Sequence, residues 1–314
     1  MKNYKSSKYY FSRLSDAEKD MYNSIETALD DFKPSASVRV GLTKTLSINI
    51  NKVISAVLYD NPAYFYVDKS MVSIMQIPMF FQFNFRYDYT RDEAEKLNAE
   101  IHRKASEFLQ KYIKPGMDDL TKQRAVYRYL QSDIVPKYAN TGKDSFSIIG
   151  ALIRGSCVCE GMSKTYKLLC DYVQIPSIIV TGEGIRENRP EPHAWNITRI
   201  NGITAHCDIT WDTISGAGAY DYFNLSDSEI SADHSFDSTV YPKCEPNKIN
   251  YFVANNMIAS DETEARKIIA ANKHKKCFSI RCLFPVTLEK AMNLGFSSGT
   301  LRVNERQNVV MFKK

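Results

Sequence analysis

The chain has 314 residues, of which 44% are hydrophobic and 25% charged, with a net charge of +5. This composition is typical of a globular protein with a packed core, in one large domain or two to three smaller ones. No apolar run approaches the roughly 18 residues that a membrane span needs, so no span is predicted. The one dense basic run, 273–276, is better explained as a solvated helix end than as a nucleic-acid surface, and no nucleic-acid partner is expected.

The cysteines and the N-terminus bear on the compartment. Seven cysteines are an odd number without the spacing of a disulfide framework, which favours free thiols in a reducing compartment. The basic N-terminus is not followed by an apolar signal core. We therefore expect a cytoplasmic protein, or the mature form of an exported one.

Residues 1–115 are predicted to form an N-terminal α+β module. Two capping boxes, which begin at Ser15 and Thr90, each open a helix. The hydrophobic periodicity then predicts the following elements: helix 15–32, strand 37–42, helix 47–59, a hairpin or meander over 64–68 and 72–89, and helix 90–112. Pro115 and Gly116 mark the boundary with the next part of the chain.

Two further units follow, a core over 116–240 and a C-terminal extension over 241–314 that we expect to pack on it. The core opens with a helix over 118–133. The extension is predicted to contain helix 261–272, strand 278–284, helix 287–294 and hairpin 300–312. A hypothesis left open is that the extension adds strands to the sheet of the core.

The densest chemistry begins at residues 155–163, where Cys159 lies at the predicted first turn of a helix. The positive end of the helix macrodipole stabilises a thiolate there. Gly161 is expected to leave room for a substrate backbone, and the N–H of Cys159 is a candidate oxyanion donor. Tyr138 and Asn140 lie upstream, where a second oxyanion donor could arise, and we do not choose between them.

A histidine and an aspartate follow on two predicted strands. A strand over 177–181 and a flexible stretch over 182–192 lead to His193, and Asn201-Gly202 is a strong hairpin signal. The returning strand is expected to carry Asp208. Side chains opposed across a hairpin have Cβ atoms about 5 Å apart, so His193 could take the thiol proton while Asp208 fixes its tautomer.

Four ordered motifs, 150–152, 157–161, 193–196 and 207–212, resemble the core of the bacterial transglutaminase-like family. Segments 222–226 and 233–234 resemble the stretch just C-terminal to that core in related bacterial proteins, so the resemblance covers about 118–236. It implies an α+β, papain-like fold, in which the helix bearing the cysteine packs on an antiparallel sheet. It also implies that Cys159 is the nucleophile, His193 the base and Asp208 the orienting acid. We expect no cofactor and no metal.

The implied activity is thiolate attack on a peptide or side-chain amide, which forms a thioester acyl-enzyme. Water would resolve the thioester in a peptidase or amidohydrolase, and an amine would resolve it in a cross-linking transglutaminase. We favour hydrolysis, with a protein or peptide as the substrate. A non-catalytic binding or scaffolding protein on the same fold is the other alternative, and the sequence does not predict the oligomeric state.

Other assignments of the same residues are weaker. Cys157 is a competing nucleophile, although it precedes the helix. His206 is a competing base that more simply flanks the site or meets solvent, and His234 is expected to be a loop or core histidine. A zinc site would use Cys157, Cys159, His193 and Cys207, but C-x-C is tighter than usual zinc spacing and no second pair follows. No calcium-binding loop pattern is visible.

Overall fold

The structure is a computed structural model that describes residues 6–40, 48–68, 72–77, 79–186, 188–295 and 299–314. Within these ranges, helices are mixed with strands that form four separate sheets. The predicted α+β class is therefore confirmed. No helix in the described ranges combines the length and the apolar character that crossing a bilayer requires.

The N-terminal part combines helices with a small antiparallel sheet of order β1-β3-β2. Its elements are α1 (Tyr9–Ser12), α2 (Asp16–Asp30), β1 (Ser35–Arg39), α3 (Ile50–Asp60), β2 (Ser73–Ile77), β3 (Phe80–Asn84) and α4 (Arg91–Tyr112). Both predicted capping boxes are present. The predicted strand end at 41–42 and the predicted helix start at 47 lie outside the described residues.

The segment 64–68 was predicted as a strand of a hairpin or meander, and this is wrong. It forms turns, with one isolated bridge between Val67 and Tyr87. Its aromatic side chains Tyr64, Phe65 and Tyr66 are buried. Aromatic residues favour strands and cores alike, and here they pack into the core from irregular backbone.

The first half of the core is mainly helical and ends with the helix that begins at Cys159. Its elements are α5 (Asp119–Arg128), a π-helix (Tyr129–Ile134), β4 (Lys137–Tyr138), a 3₁₀-helix (Lys143–Phe146), a second π-helix (Gly150–Arg154), β5 (Ser156–Cys157) and α6 (Cys159–Tyr172). The helix predicted over 118–133 is confirmed as α5 and the π-helix that continues it. Strands β4 and β5 pair in parallel, with Tyr138 opposite Cys157.

A five-stranded antiparallel sheet of order β10-β6-β7-β8-β9 carries the rest of the core. Its strands and the helices between them are β6 (Ser177–Arg186), β7 (Arg189–Ile200), β8 (Ile203–Cys207), α7 (Ile209–Ser215), β9 (Phe223–Leu225), α8 (Asp227–Ile230) and β10 (His234–Ser235). The hairpin predicted at Asn201-Gly202 is confirmed, and both residues have positive φ, 49° and 83°, as a type I′ turn requires.

The stretch 182–192 was predicted to be flexible, and this is wrong. Strands β6 and β7 stay paired out to Arg186 and Arg189. Pro190 and Pro192 do not break the ladder, because β8 pairs with β7 only from Asn196 onward. Each proline therefore lies where one edge of β7 has no strand partner, which is where a residue without an N–H is tolerated.

The C-terminal extension forms its own four-stranded sheet of order β11-β12-β14-β13. Its elements are α9 (Tyr251–Ala254), β11 (Ile258–Ala259), α10 (Glu262–Asn272), β12 (Cys277–Cys282), α11 (Leu288–Met292), β13 (Thr300–Asn304) and β14 (Val309–Lys313). The four predicted elements of this part are confirmed. The hypothesis that it extends the sheet of the core is wrong, because its strands pair with each other over a separate hydrophobic cluster.

Two contacts fix α6 between the N-terminal part and the sheet. On one side, the buried ammonium of Lys167 pairs with Asp171 at 3.1 Å and bonds the hydroxyl of Ser7 at 3.0 Å. On the other side, Ser163 Oγ donates to the carbonyl of Ala194 at 2.9 Å. The Lys167–Ser7 and Ser163–Ala194 hydrogen bonds thus connect α6 with the N-terminal part on one side and with β7 on the other.

Candidate active site

Cys159 is the first residue of α6. Its side chain is half-buried, whereas five of the seven cysteines are buried. The backbone N–H groups of a first helical turn have no partner within the helix and point towards this end. The thiol therefore lies where both the helix dipole and free amides favour negative charge.

Cys157, the competing nucleophile, has the opposite environment. It is 1% exposed, and burial together with the neighbouring Cys159 raises its pKa to about 12. A thiol with this pKa is protonated at neutral pH, and the thiolate is the reactive species. The structure therefore disfavours Cys157 as the nucleophile.

Gly161 was expected to make room for a substrate backbone, and the structure gives a different reason for a glycine. A Cβ at this position would lie 2.3 Å from the carbonyl oxygen of Ser145 and 3.0 Å from that of Ser147. The glycine is required because the 3₁₀ segment packs directly against the first turn of α6. This close packing of the 3₁₀ segment on the first turn of α6 helps to hold Cys159 in position.

His193 and Asp208 are in direct contact. His193 Nε2 donates to Asp208 Oδ2 at 2.8 Å, and both side chains are buried. The other oxygen, Oδ1, accepts the N–H groups of Thr210 and Trp211 at 2.9 and 3.1 Å and so caps α7. The structure thus brings together the predicted histidine and aspartate.

The predicted route to this contact was wrong. Asp208 does not lie on the returning strand, because β8 ends at Cys207. Asn196 is opposite Cys207, so Asp208 continues beyond the paired part of the hairpin and begins α7. Its carboxylate reaches His193 from the end of a strand and the start of a helix, where two backbone amides hold it.

The charges of this pair support each other. Burial would raise the pKa of Asp208, but the charge of His193 and hydrogen bonds from both His193 and His234 hold it well below its usual range. Burial would lower the pKa of His193, but the charge and hydrogen bond of Asp208, with a further hydrogen bond to Cys159, raise it to about 10. Because Nε2 is bonded to Asp208, Nδ1 is the ring nitrogen left for Cys159.

Two tryptophans enclose the imidazole. Trp195 stacks on His193 at 5.9 Å between ring centroids, and Trp211 lies tilted over it at 5.0 Å. Gly184 makes the second contact possible, since a Cβ there would lie 2.7 Å from the Trp211 ring. Apolar walls exclude water and strengthen the electrostatic interactions of the pair.

Tyr138 adds a hydroxyl next to the thiol. The pairing of β4 with β5 places Tyr138 opposite Cys157, and the Tyr138 side chain is close enough to Cys159 for the two groups to interact electrostatically. Burial, followed by the charge and hydrogen bond of Cys159, raises the pKa of Tyr138 to about 12, so it stays a donor at neutral pH. Arg186 lies over the ring at 5.7 Å. Of the two upstream candidates, the structure brings Tyr138 to the thiol.

His234 was expected to be a loop or core histidine, and it is part of this site. Its Nε2 lies 3.2 Å from the same Oδ2 of Asp208 that accepts from His193. The signal in the sequence was the Asp233-His234 pair within the motif C-terminal to the core. Pattern alone could not locate it, because the contact depends on β10 pairing with the distant strand β6.

His206, the competing base, is buried away from Asp208. Its Nδ1 accepts the indole N–H of Trp195 at 2.9 Å, and its Nε2 bonds Asp227 at 2.9 Å. Burial lowers its pKa, and the hydrogen bond with Asp227 offsets this only in part. With both nitrogens occupied and the ring neutral, His206 has no free nitrogen for a substrate.

Among the described residues, two sets of side chains have the composition of a metal site, and neither is the predicted zinc alternative. They are His193 with Asp208 and His234, and His206 with Asp227 and Cys244. In the first set the atoms are 2.8 and 3.2 Å apart, which are hydrogen-bond distances. In the second set Nδ1 of His206 accepts a hydrogen bond, so Nε2 carries the proton and is not a free ligand.

Comparison with known proteins adds little to this geometry. No protein family matches the sequence, and no curated protein is similar to it. Among solved structures, a Cytophaga hutchinsonii protein provisionally described as a cysteine protease is similar, with a TM-score of 0.31 and 15% identity over 43% of this chain and 55% of the other. A protein described as a TGase has a TM-score of 0.32 and 12% identity over 56% of this chain and 50% of the other. The chain thus spans about half the length of each.

Proposed function

We propose that the chain is a transglutaminase-like cysteine enzyme that acts on peptide or side-chain amide bonds through a thioester. The observation that carries this proposal is a half-buried thiol at a helix N-terminus, close to an imidazole whose Nε2 is hydrogen-bonded to a buried carboxylate. A nucleophile, a base and a group that orients the base are the parts that covalent catalysis needs. We propose Cys159, His193 and Asp208 for these three roles.

From these contacts we propose a role for each group in the reaction. In the resting pair Nδ1 of His193 already holds the thiol proton, and the thiolate of Cys159 attacks the amide carbonyl. The N–H of Cys159 and the hydroxyl of Tyr138 are the candidate donors to the resulting oxyanion. The imidazolium then gives its proton to the leaving amine, which leaves the acyl group on sulfur. Water, activated by the same imidazole, breaks the thioester and restores the thiol.

The architecture agrees with this proposal. We propose a papain-like arrangement in which α6 packs on the antiparallel sheet through β6 and β7. The units proposed for the chain are 1–115, 116–240 and 241–314. The motifs that resemble the transglutaminase-like family fall on the elements that meet at the thiol, namely the first turn of α6, β7 and the junction of β8 with α7.

Turnover of amide substrates tests the proposal. The protein is incubated with casein and with glutamine-containing peptides, with and without a fluorescent primary amine. New amino termini or released ammonia that depend on Cys159 would support hydrolysis. Incorporation of the amine above hydrolysis would instead identify a cross-linking enzyme, and the choice of water as the acceptor would then be wrong.

The control is Cys159→Ala, with Cys157→Ala as its matched partner. We expect the first to abolish product formation and the second to retain it once its folding is verified by circular dichroism. The same activity in both variants would contradict the assignment of the nucleophile. Absence of an acyl-enzyme, by mass spectrometry, with every amide, ester and activated ester tested would favour a binding or scaffolding protein.

A further inference from the structure

His234 contacts the carboxylate oxygen of Asp208 that does not cap α7, and the mechanism above does not use this histidine. Its Nε2 is 3.2 Å from Asp208 Oδ2, and its Nδ1 is 2.7 Å from Asp233 Oδ1. The side chains of all three residues are buried. The imidazole therefore bridges two carboxylates that have no access to solvent.

This position determines the protonation of the ring. A neutral imidazole carries one N–H and one lone pair, so it can donate to one carboxylate only. In a neutral ring, the nitrogen without a proton would face a buried carboxylate oxygen at hydrogen-bond distance. The two would repel each other, and no solvent would screen the repulsion. Burial would lower the pKa of His234, but the hydrogen bonds to Asp208 and Asp233 outweigh burial and raise it. A doubly protonated ring satisfies both contacts.

With His234 in place, Asp208 accepts four hydrogen bonds. Two backbone N–H groups bind Oδ1, and the imidazoles of His193 and His234 bind Oδ2. The carboxylate cannot rotate without losing at least one donor. Its Oδ2 is therefore held where it fixes the ring plane of His193, as an outer partner fixes a metal-bound or catalytic histidine.

The C-terminal extension helps to hold the second carboxylate. Gln307 Nε2 donates to Asp233 Oδ1 at 3.1 Å, and the hydroxyl of Tyr222 donates to Asp233 Oδ2 at 2.8 Å. Asn304 Nδ2 donates in turn to the Tyr222 hydroxyl at 3.1 Å. A continuous chain of hydrogen bonds thus connects the β13–β14 hairpin with the imidazole that faces Cys159.

We propose that His234 is a positioning residue that acts as a permanent imidazolium, locking Asp208 and adding a positive charge behind the Cys159–His193 pair. This inference rests on the proposed function of that pair. The charged and titratable groups around His234 come from several elements: His193 on β7, His206 on β8, Asp208 at the start of α7, Tyr222 before β9, and Asp233 before β10.

The first test observes the ring directly in the full-length protein. The chain has five histidines, so ¹⁵N-histidine labelling gives a spectrum whose signals can be assigned by single substitutions. We expect two ring N–H signals from His234 at pH 7, which disappear in His234→Gln. A single ring N–H, or the ¹⁵N shift of a neutral tautomer, would overturn the inference.

The second test measures the alkylation rate of Cys159 by iodoacetamide from pH 5.5 to 9. In His234→Gln we expect the pH–rate curve to move to higher pH by about one unit, because a buried positive charge near the site is lost. A residue with a purely structural role would lower the folded fraction without moving the curve. An unmoved curve in the folded variant would therefore overturn the inference.

Two further variants keep the test decisive. His206→Gln is the matched control, another buried histidine bonded to a carboxylate, and we expect no displacement of its curve. If His234→Gln does not fold, Asp233→Asn replaces it, and we expect the second ring N–H of His234 to be lost and the curve to move in the same direction. If Asp233→Asn keeps both ring N–H signals of His234 and the pH–rate curve of the unsubstituted protein, the inference is overturned.

The failure of this inference can be told from failure of the proposed function. If Cys159 reacts no faster than the other thiols in the unsubstituted protein, the proposed function fails, whatever the protonation of His234. If Cys159 reacts fast and its curve is the same in His234→Gln and the unsubstituted protein, only the positioning role fails.

Discussion

Two buried histidines on the neighbouring strands β7 and β8 are each hydrogen-bonded to an aspartate, and one tryptophan touches both histidines. His193 bonds Asp208 at 2.8 Å and His206 bonds Asp227 at 2.9 Å, each through Nε2. Trp195 offers its ring face to His193 and its indole N–H to His206. The pairs are alike in chemistry, yet their surroundings move the two histidine pKa values in opposite directions.

The difference lies in the second ring nitrogen. In His206 it accepts a hydrogen bond from Trp195, so the ring is a neutral packing element. In His193 it faces the thiol of Cys159, and the partner carboxylate is fully buried and bonded on both oxygens. A histidine–aspartate pair becomes a candidate catalytic base only when one nitrogen is left for a reacting group.

The largest expected effect comes from removing each histidine in turn. His193→Ala should slow alkylation of Cys159 at pH 7 about 100-fold, because the group that accepts the thiol proton is gone. His206→Ala should change that rate less than threefold. Peptide-resolved mass spectrometry of iodoacetamide-treated protein measures both rates, and equal effects of the two substitutions would erase the distinction between the pairs.

The next largest difference should be in the cost to stability of replacing each of the two carboxylates. In Asp208→Asn the amide would present N–H groups to one or both imidazole N–H groups within a dry site, so we expect a loss of about 3 kcal/mol in the free energy of unfolding. Asp227 has a partly exposed side chain, and Asp227→Asn should cost about 1 kcal/mol. Urea denaturation measures both. A cost for Asp227→Asn as large as that for Asp208→Asn would contradict the comparison.

The pairs should also affect stability at opposite ends of the pH range. The folded-state pKa of His193, about 10, lies above its ordinary value of 6.5, so its contribution is full below pH 6.5 and is lost as the pH rises towards 10. The pKa of His206 is lowered on folding, so its contribution is lost as the pH falls below 6.5.

Unfolding free energies of the unsubstituted protein, His193→Gln and His206→Gln at pH 5, 7 and 9.5 test this. The advantage of the unsubstituted protein over His193→Gln should shrink between pH 7 and 9.5. Its advantage over His206→Gln should shrink between pH 7 and 5. The same pH dependence for both differences would show that the two rings do not differ in charge.

The smallest effect should come from Trp195→Phe, which keeps an aromatic ring beside His193 and removes the indole donor to His206. We expect a loss of about 1 kcal/mol, a rise in the pKa of His206, and an alkylation rate of Cys159 within a factor of three of the original. Histidine NMR titration and urea denaturation check these values. A tenfold fall in the rate would mean that Trp195 acts on the thiol through more than ring contact.

The sequence predicted the local elements of the fold well, because each depends on near neighbours. The capping boxes at Ser15 and Thr90 and the Asn201-Gly202 turn are short-range signals, and all three are present. The start of α6 at Cys159 arises from the same kind of pattern. Contacts between residues far apart in the sequence could not be predicted. Neither the placement of His234 beside Asp208 nor the separate C-terminal sheet has a local signature.

Two predictions were wrong where the sequence allows two structures. The stretch 182–192 was predicted to be flexible, but its strands are paired, and Pro190 and Pro192 lie where β7 has an unpaired edge. The strand returning from Asn201-Gly202 was predicted to carry Asp208, but this carboxylate caps a helix instead. In each case tertiary pairing, which a single sequence does not display, decided between two allowed structures.

The central claim is that Cys159 is the activated thiol of the chain. Cys277 is a matched internal control, since among the seven cysteines it alone shares the half-buried state of Cys159. The deciding measurement is peptide-resolved alkylation of all seven cysteines with limiting iodoacetamide at pH 6.5, where an ordinary thiol is about 1% ionised. We predict that Cys159 reacts at least 50 times faster than Cys277. Equal rates at the two thiols would contradict the account.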